Sequence, residues 1–289
     1  MLDAQDPLAS WIGRSEERSV VLSPWPAAAL HGALDLDGAP PQIGDPLPPF
    51  WRWLYFHDPV RRSALGRDGH LARGRGIYPP ITLPRRMWAG GRLQFDHAVH
   101  LGEGVTKVTQ VAQIARKQGR SGPLVFLSLR HSLYRADGVR CEVEEQDIVY
   151  RHNPPSPNVV IAPSGPAART DEDWKRGWTV DPTLLFRYSA LSYNGHRIHY
   201  DLDYCRRVEG YPGLVVHGPL LATLMLELVK ERGPDRAIRE FSFRAHTPLF
   251  DTEAFEVCGK LSGEGAELWV RAAGEGGRLA MEGAVRFGG

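Results

Sequence analysis

The chain contains two stretches with matching residue patterns, and this internal repeat is the feature that most limits its fold. Leu93-Gln94-Phe95 followed by Leu101-Gly102-Glu103 matches Phe241-Ser242-Phe243 followed by Leu249-Phe250-Asp251 at the same spacing. In both halves of the chain a more helical region precedes a run of strand-like segments. The repeat therefore predicts two similar α+β layers, each burying one helix against its own sheet.

Alternating apolar and polar residues with β-branched side chains predict the antiparallel strands of both layers. The predicted strands cover residues 105–114, 124–133 and 139–149 in the first half, and lie near residues 240–246, 253–261, 267–273 and 278–287 in the second. An Ala-rich segment at residues 26–34 predicts a short helix, and the apolar run 213–229 predicts a longer, buried helix. Each half thus reads as a helical region followed by an antiparallel meander.

Proline and glycine mark the irregular parts of the chain. Residues 57–84 are rich in Arg, Gly and Pro with little periodicity, which predicts a long surface loop. Loops of this length in compact proteins are usually functional or mobile. A Pro-, Ser- and Ala-containing segment at residues 153–169 also lacks periodicity. We therefore expect an N-terminal domain over residues 1–160 and a C-terminal domain over residues 170–289.

Charge and composition exclude several classes of protein. Lys and Arg total 35 against 34 Asp and Glu, whereas a nucleic-acid-binding protein normally carries a strong basic excess. The longest apolar run is interrupted by His217, Pro219 and Glu227, and a membrane span needs about 20 largely apolar residues. The first residues lack the basic segment of a secretory signal, and three scattered cysteines make no disulfide framework. We expect a cytoplasmic protein with neither nucleic-acid nor membrane partners.

Chemically active residues are densest between residues 186 and 201. His196 and His199 lie three positions apart, and His217-Gly218 followed by proline opens the apolar helix. Free N–H groups and the helix dipole at a helix start stabilise negative charge. A histidine close to such a start can act as a general acid or base. This combination predicts a site that stabilises a developing oxyanion and transfers a proton.

Two simpler interpretations apply to the histidines. His196, His199 and Asp201 lack the helical spacing of a metalloprotease site, so we expect no metal here. Solitary histidines in globular proteins are usually structural or face solvent. We expect that of six others, namely His57, His70, His97, His100, His131 and His246.

The polar segment and the helix start together resemble the MaoC-like hydratase/dehydratase family. The family motif Ser-Gly-Asp-x-Asn-Pro-x-His covers Ser192 to His199 here, and a His-Gly pair follows at the start of the central helix. The resemblance implies that His199 is the catalytic histidine and that the Gly218 N–H holds the thioester oxygen. Asn194 replaces the catalytic Asp of the motif. Because an amide cannot accept a proton, Asn194 is expected to orient a water molecule instead.

The departures from the motif are similar to those of one branch, the two-domain mesaconyl-C4-CoA/itaconyl-CoA hydratases, and to the mitochondrial-type 3-hydroxyacyl-thioester dehydratases. Residues 83–91, 119–125 and 144–150 also resemble their counterparts there. The resemblance runs from about residue 45 to the end of the chain. It implies an α+β double hot-dog fold, in which two antiparallel sheets each wrap a central helix. We expect one active site, on the C-terminal half, with the N-terminal half completing the pocket.

The activity implied is that of a hydro-lyase that reversibly hydrates an α,β-unsaturated acyl-CoA, with itaconyl-CoA or mesaconyl-C4-CoA converted to citramalyl-CoA. Dehydration of 3-hydroxyacyl chains on acyl carrier protein and non-catalytic binding of acyl-CoA are the alternatives. Coenzyme A is part of the substrate, so we expect no separate cofactor. The sequence is compatible with a homodimer.

Arginines are the natural partners for the phosphates and carboxylates of such a substrate. Arg85 and Arg86 are candidates for the phosphates of the coenzyme arm. Arg187 and Arg197 lie nearest in sequence to the catalytic segment and are candidates for a free carboxylate. His196 is expected to contact the substrate.

Overall fold

The computed structural model describes residues 5–119, 122–152, 164–274 and 276–288. The strands in this part of the chain are β1 (Ser15–Val21), β2 (Arg85–Phe95), β3 (Gly104–Gly119), β4 (Gly122–Arg135), β5 (Arg140–Arg151), β6 (Trp174–Trp178), β7 (Ile238–Ala245), β8 (Phe255–Ser262), β9 (Gly265–Ala272) and β10 (Leu279–Phe287). The α-helices are α1 (Pro24–Ala33), α2 (Pro182–Leu191), the single turn α3 (Leu202–Tyr204) and α4 (Gly218–Arg232). The seven strands predicted from alternation are all present, as β3, β4, β5, β7, β8, β9 and β10.

The ten strands form one antiparallel sheet in which the order of strands repeats. The order is β1-β3-β4-β5-β2 in the first half, and the second half runs outwards from β7 as β7-β10-β9-β8-β6. Each half therefore has the same connectivity, and β2 pairs with its own counterpart β7 at the centre. Leu93 lies opposite Phe241 in this pair, and these are the residues that the sequence repeat matches. The predicted duplication is confirmed by this topology.

Two details differ from the expected pair of separate sheets with a helix in each. First, the β2–β7 pairing joins the two half-sheets into one continuous sheet. Second, a long central helix is present only in the second half, as α4. The equivalent stretch of the first half, residues 57–84, contains only the 3₁₀ turn Arg62–Ala64 among regular helices. Its many glycines and prolines oppose a helix, because proline removes a backbone donor and glycine costs conformational entropy.

Helix α4 packs against the sheet through an almost wholly buried surface. Its residues from Leu220 to Val229 are all buried, and full burial of one such leucine stabilises the fold by about 1.5–3 kcal/mol. The helix begins at Gly218, as the His217-Gly218-Pro219 sequence predicts, and residues 213–217 at the start of the apolar run are not helical. His217 has extended backbone angles (φ −61°, ψ 128°), and Val215 forms an isolated β-bridge with Phe250. The residues before the helix are thus held as an extended strand-like segment.

Part of the predicted domain boundary, residues 153–163, lies outside the described residues, so the boundary stays a prediction. Within the described part of the chain, no helix is long and apolar enough to cross a membrane.

Candidate active site

A cavity of about 740 Å³ lies between the two halves of the sheet. The second half contributes the polar segment after α2, with Asn194, His196 and His199, and the start of α4 at Gly218. The first half contributes residues of β2 and the tip of the 57–84 loop. Six of the eight site residues predicted from the sequence line this cavity, namely His199, Asn194, Gly218, His196, Arg85 and Arg86.

One ring nitrogen of His199 donates a hydrogen bond to the backbone, and the other carries no proton. Its Nδ1 lies 2.7 Å from the carbonyl oxygen of Val215. A carbonyl can only accept, so Nδ1 carries the hydrogen and Nε2 keeps its lone pair. The side chain is buried, and this burial lowers the pKa of His199 to about 3, with the charge of His70 acting in the same direction and the Val215 hydrogen bond opposing it. The imidazole is therefore neutral at physiological pH and can act as a base.

The side chain of His217 packs against the imidazole of His199. The two rings stack with centroids 3.6 Å apart and planes 17° apart. His217 is fully buried, and its Nε2 lies 2.8 Å from the hydroxyl oxygen of Ser189 on α2. It precedes the first residue of α4 but makes no side-chain capping bond to the helix. Its position fixes both the plane of His199 and the distance of that ring from the helix start.

The start of α4 is shaped to bring a backbone N–H to the cavity wall. The first N–H groups of a helix have no partner within the helix, and Gly218 is the first helical residue. A Cβ at this position would lie 2.5 Å from Cε3 of Trp88 on β2. Only glycine allows the indole of the first half to pack this closely on the helix start.

Asn194 and His196 are tied to each other through the backbone. The Asn194 Oδ1 accepts a hydrogen bond from the His196 N–H at 3.0 Å. The His196 ring lies edge-on to His199 at 5.5 Å and 4.2 Å from the ring of His70. Burial and the neighbouring histidine charges hold the pKa of His196 well below its usual range. The His196 N–H thus uses one lone pair of the Asn194 oxygen, and the NH₂ group of Asn194 remains to donate to a ligand.

His70 does not fit the expectation of a structural or solvent-facing histidine. It lines the cavity together with Asp68, from the tip of the 57–84 loop. Its Nδ1 lies 3.3 Å from Asp68 Oδ2. Burial, reinforced by the charge of Arg86, lowers the pKa of His70 to about 4 despite the opposing Asp68 carboxylate. In the sequence, the only signal for Asp68 and His70 is their position in the Arg-, Gly- and Pro-rich loop.

The two arginines of β2 differ in their charge environment. Arg85 is buried and forms an ion pair with Glu209, with Nε 2.7 Å from Oε2. Arg86 forms no ion pair with a carboxylate within 4 Å among the described residues. It also stacks on Tyr78, with its guanidinium carbon 4.7 Å from the ring centre. Of these two arginines, Arg85 is neutralised by a carboxylate and Arg86 has none within 4 Å in the described part of the chain; Arg151 and Arg244 also line the cavity.

Arg187 and Arg197 do not line the cavity. Arg187 is exposed on α2. Arg197 pairs with Asp201, with Nη2 2.7 Å from Oδ2, and its guanidinium also contacts the backbone of the 57–84 loop. The i, i+4 spacing of Arg197 and Asp201 turns this arginine away from the cavity. Neither residue is therefore placed to contact a ligand in the cavity.

One group of side chains has the geometry to hold a metal ion. The ligand atoms of Asp68, His70 and His196 lie within 4.8 Å of one another. These are not the three residues considered from the sequence, since only His196 is common to both sets. The positive charge of Arg86 nearby lowers the pKa of both His70 and His196, and the same charge would oppose binding of a divalent cation.

The fold and the site define a hot-dog hydratase/dehydratase. Solved structures of similar architecture include a MaoC-like dehydratase (TM-score 0.68, 14% identity, 97% of this chain and 100% of the other). A protein from Mycobacterium tuberculosis described as a double hot-dog fold is also similar (TM-score 0.56, 15% identity, 96% of each chain). The double hot-dog fold expected from the sequence is confirmed by these likenesses.

Comparison of sequences gives the family. The family model for hydroxyacyl-thioester dehydratase type 2 matches residues 50–251. The mesaconyl-C(4)-CoA hydratase of Chloroflexus aurantiacus is 41% identical over 97% of this chain and 98% of its own length. The mitochondrial hydroxyacyl-thioester dehydratase type 2 of Schizosaccharomyces pombe is 26% identical over 78% of this chain and 80% of its own. The chain belongs to the hydroxyacyl-thioester dehydratase type 2 family, and the prediction of a MaoC-like hydro-lyase is confirmed.

Proposed function

We propose that this protein reversibly hydrates an α,β-unsaturated acyl-CoA that carries a carboxylate near its double bond, such as mesaconyl-C4-CoA. One observation carries the proposal: His199 presents an unprotonated Nε2 to a cavity whose wall also contains the start of a buried helix. Because His217 stacks on His199 and directly precedes Gly218, the base and the helix start serve the same part of the cavity.

The reaction follows from these two groups. The Gly218 N–H donates to the thioester oxygen, and His199 Nε2 takes a proton from a water molecule as the water oxygen bonds to Cβ. The electron pair of the double bond then forms an enolate whose charge rests on the thioester oxygen. Nε2 returns its proton to Cα, so that H and OH have been added in total. An oxyanion donor contributes about 2.7–4 kcal/mol in comparable sites, and a positioned base contributes roughly 10²–10⁴-fold.

Arg86 supports the assignment of a carboxylate-bearing substrate. With a purely apolar acyl chain, Arg86 would be offset only by the more distant carboxylate of Asp68 in the cavity wall, and a charge without a close partner is costly to bury. A substrate carboxylate close to the reacting carbons would neutralise it with charge-assisted hydrogen bonds. Glu209 already neutralises Arg85. Arg85 and Arg86 together therefore offer one positive charge to the ligand.

The experiment is a panel of enoyl-CoA thioesters with and without a carboxylate, followed by loss of the enoyl-thioester absorbance. We expect His199→Ala to lose hydration by at least 100-fold, and exposed His97→Ala to keep it. Turnover near the wild-type rate in His199→Ala would disprove the assignment. Asn194→Asp tests the residue at the position of the motif's catalytic Asp. We expect this substitution to change the rate of turnover but not the identity of the preferred substrate.

Arg86→Met should lower kcat/KM for mesaconyl-C4-CoA by about 10–100-fold, as expected for loss of a charge-assisted hydrogen bond. Crotonyl-CoA, which lacks the carboxylate, should be affected far less. Arg207→Met provides a matched control, because Arg207 is exposed and its nearest carboxylate, Asp203, is 4.0 Å away. An equal loss on both substrates would contradict a carboxylate-binding role for Arg86.

A 3-hydroxyacyl thioester on acyl carrier protein is the competing substrate. The same panel includes it, assayed in the dehydration direction by gain of absorbance. A higher kcat/KM for the carrier-protein thioester than for mesaconyl-C4-CoA would favour this second activity. No turnover of any thioester, with acyl-CoA binding retained, would favour a binding protein.

A further inference from the structure

We propose that Asp68 and His70 hold the attacking water in this active site, with His70 Nε2 accepting the O–H bond that His199 does not use. The inference rests on the proposed hydratase function. It assigns a role in the reaction to the loop that replaces the central helix of the first half.

The chemistry requires a second acceptor. A water molecule that gives one hydrogen to His199 still rotates about that bond unless its other O–H is held. Rotation moves the oxygen lone pair away from Cβ, and small misplacements of a reacting atom cost about 10²-fold in rate. Asn194 is the weaker candidate for this acceptor, because the His196 N–H already uses one of the two lone pairs of its Oδ1. Its NH₂ group can only donate.

Asp68 determines which nitrogen of His70 faces the cavity. The Asp68 carboxylate accepts from His70 Nδ1 at 3.3 Å and from the His70 backbone N–H at 3.1 Å. The Nδ1 hydrogen is thereby fixed and Nε2 keeps its lone pair. Burial opposes ionisation of Asp68, but the hydrogen bonds and charge of His70, with the charge of Arg86, outweigh it and lower the pKa of Asp68 to about 2. The carboxylate therefore stays charged and acts only as an acceptor.

Four imidazoles line the cavity, those of His70, His196, His199 and His246, and among them His70 and His199 have an acceptor on Nδ1. The ring of His196 lies 4.2 Å from that of His70 and 5.5 Å from that of His199. Because both rings neighbour His196, their Nε2 atoms can accept hydrogens from one water molecule or from a chain of two.

The loop is clamped to the catalytic segment by backbone contacts that only glycine permits. The Arg197 N–H donates to the Asp68 carbonyl at 2.9 Å. Gly69 has φ +89°, and a Cβ there would lie 1.9 Å from the carbonyl oxygen of Gly195. In turn, a Cβ on Gly195 would lie 2.8 Å from the carbonyl oxygen of Gly69. This direct contact places His70 relative to the 194–199 segment.

The first experiment separates water holding from substrate binding. His70→Asn should lower kcat by about 100-fold, while KM and the Kd of a saturated acyl-CoA stay within about twofold of wild type. Asp68→Asn should lower kcat in the same direction, because an amide can donate to Nδ1 and favour the wrong tautomer. An unchanged kcat, or a rise in Kd and KM with kcat retained, would overturn the proposal.

The second experiment moves the loop without altering its chemistry. Gly69→Ala should lower kcat as His70→Asn does, because the new methyl group collides with Gly195. Gly38→Ala is the matched control, since Gly38 has a similar φ of +83° and nothing within 4 Å of an added Cβ. If Gly69→Ala folds and keeps the wild-type kcat, the clamped loop is not needed and the proposal fails.

Two further readouts keep the outcomes distinct. Metal analysis of the purified wild type tests the Asp68–His70–His196 group, and one bound ion per chain that is lost in His70→Asn would replace water holding by metal binding. Wild-type turnover and its loss in His199→Ala test the proposed function. If those hold while His70→Asn keeps its kcat, the water-holding proposal alone fails.

Discussion

Acidification should destabilise this protein, because histidines of its active site are buried in the neutral form. Burial lowers the pKa of His199 to about 3 and that of His70 to about 4. A histidine in an unfolded chain has a pKa of about 6.5. Between these values the unfolded state binds more protons than the folded state. The free energy of unfolding therefore falls as the pH falls below about 6.5.

The magnitude follows from the same values. Between pH 7.5 and pH 5.0, each of these two histidines lowers the free energy of unfolding by about 2 kcal/mol, since one proton is worth about 1.4 kcal/mol per pH unit. Together they amount to about 4 kcal/mol, which is a large part of the roughly 5–15 kcal/mol that stabilises a typical domain. His196 and His217, whose pKa values are also held low by burial, act in the same direction.

Urea unfolding at several values between pH 5.0 and pH 7.5 measures this effect. His70→Asn should lose about 2 kcal/mol less than wild type over this range, because the asparagine does not titrate. Exposed His97→Asn should follow the wild type. The reasoning is refuted if the wild-type free energy of unfolding is the same at pH 5.0 and pH 7.5, or if the two variants have the same pH dependence.

Three further predictions concern the site and the core. The acid limb of kcat should lie below about pH 5, because His199 and His70 must be neutral to act, and a limb centred near pH 6.5 would contradict their low pKa values. Gly218→Ala should lower kcat at least tenfold, because the added Cβ collides with the Trp88 indole, and a wild-type kcat would argue against the helix start as oxyanion donor. Trp51→Phe removes the N–H that donates to buried Glu227 at 2.9 Å and should cost about 1–3 kcal/mol in urea unfolding without changing kcat; an unchanged unfolding midpoint would contradict it.

Much of the fold could be predicted from the sequence because its signals are local. Strand alternation and the proline after Gly218 are signals that extend over only a few residues. The strands and the helix start that they predict are confirmed. The repeat of the Leu93 pattern at Phe241 also predicted the duplication. The junction of the two half-sheets through β2 and β7 could not be read this way, because alternation identifies a strand but not its neighbour.

The residues of the candidate site likewise divide into those that local sequence predicts and those that only the fold brings together. Asn194 and His199 lie in the continuous motif of residues 192–199, and Gly218 follows in the His-Gly pair at the helix start, so local sequence predicts all three as site residues. The sequence does not distinguish His70 from structural or solvent-facing histidines, because nothing within its own loop shows that it contacts the 194–199 segment. That contact depends on Gly69 and Gly195, which are 126 positions apart in the chain but touch in the fold.

The sequence by itself determined the doubled architecture, the polar segment that lines the cavity and the family to which the chain belongs. The tertiary structure decided which charges are left for a ligand. Arg85 and Arg86 are equivalent in the sequence, yet Glu209 of the other half neutralises the first, whereas among the described residues no carboxylate lies within 4 Å of the second and Asp68 acts on it only at longer range. Local pattern fixes where a strand or helix forms, whereas compensation of a buried charge depends on residues that the fold brings from far along the chain.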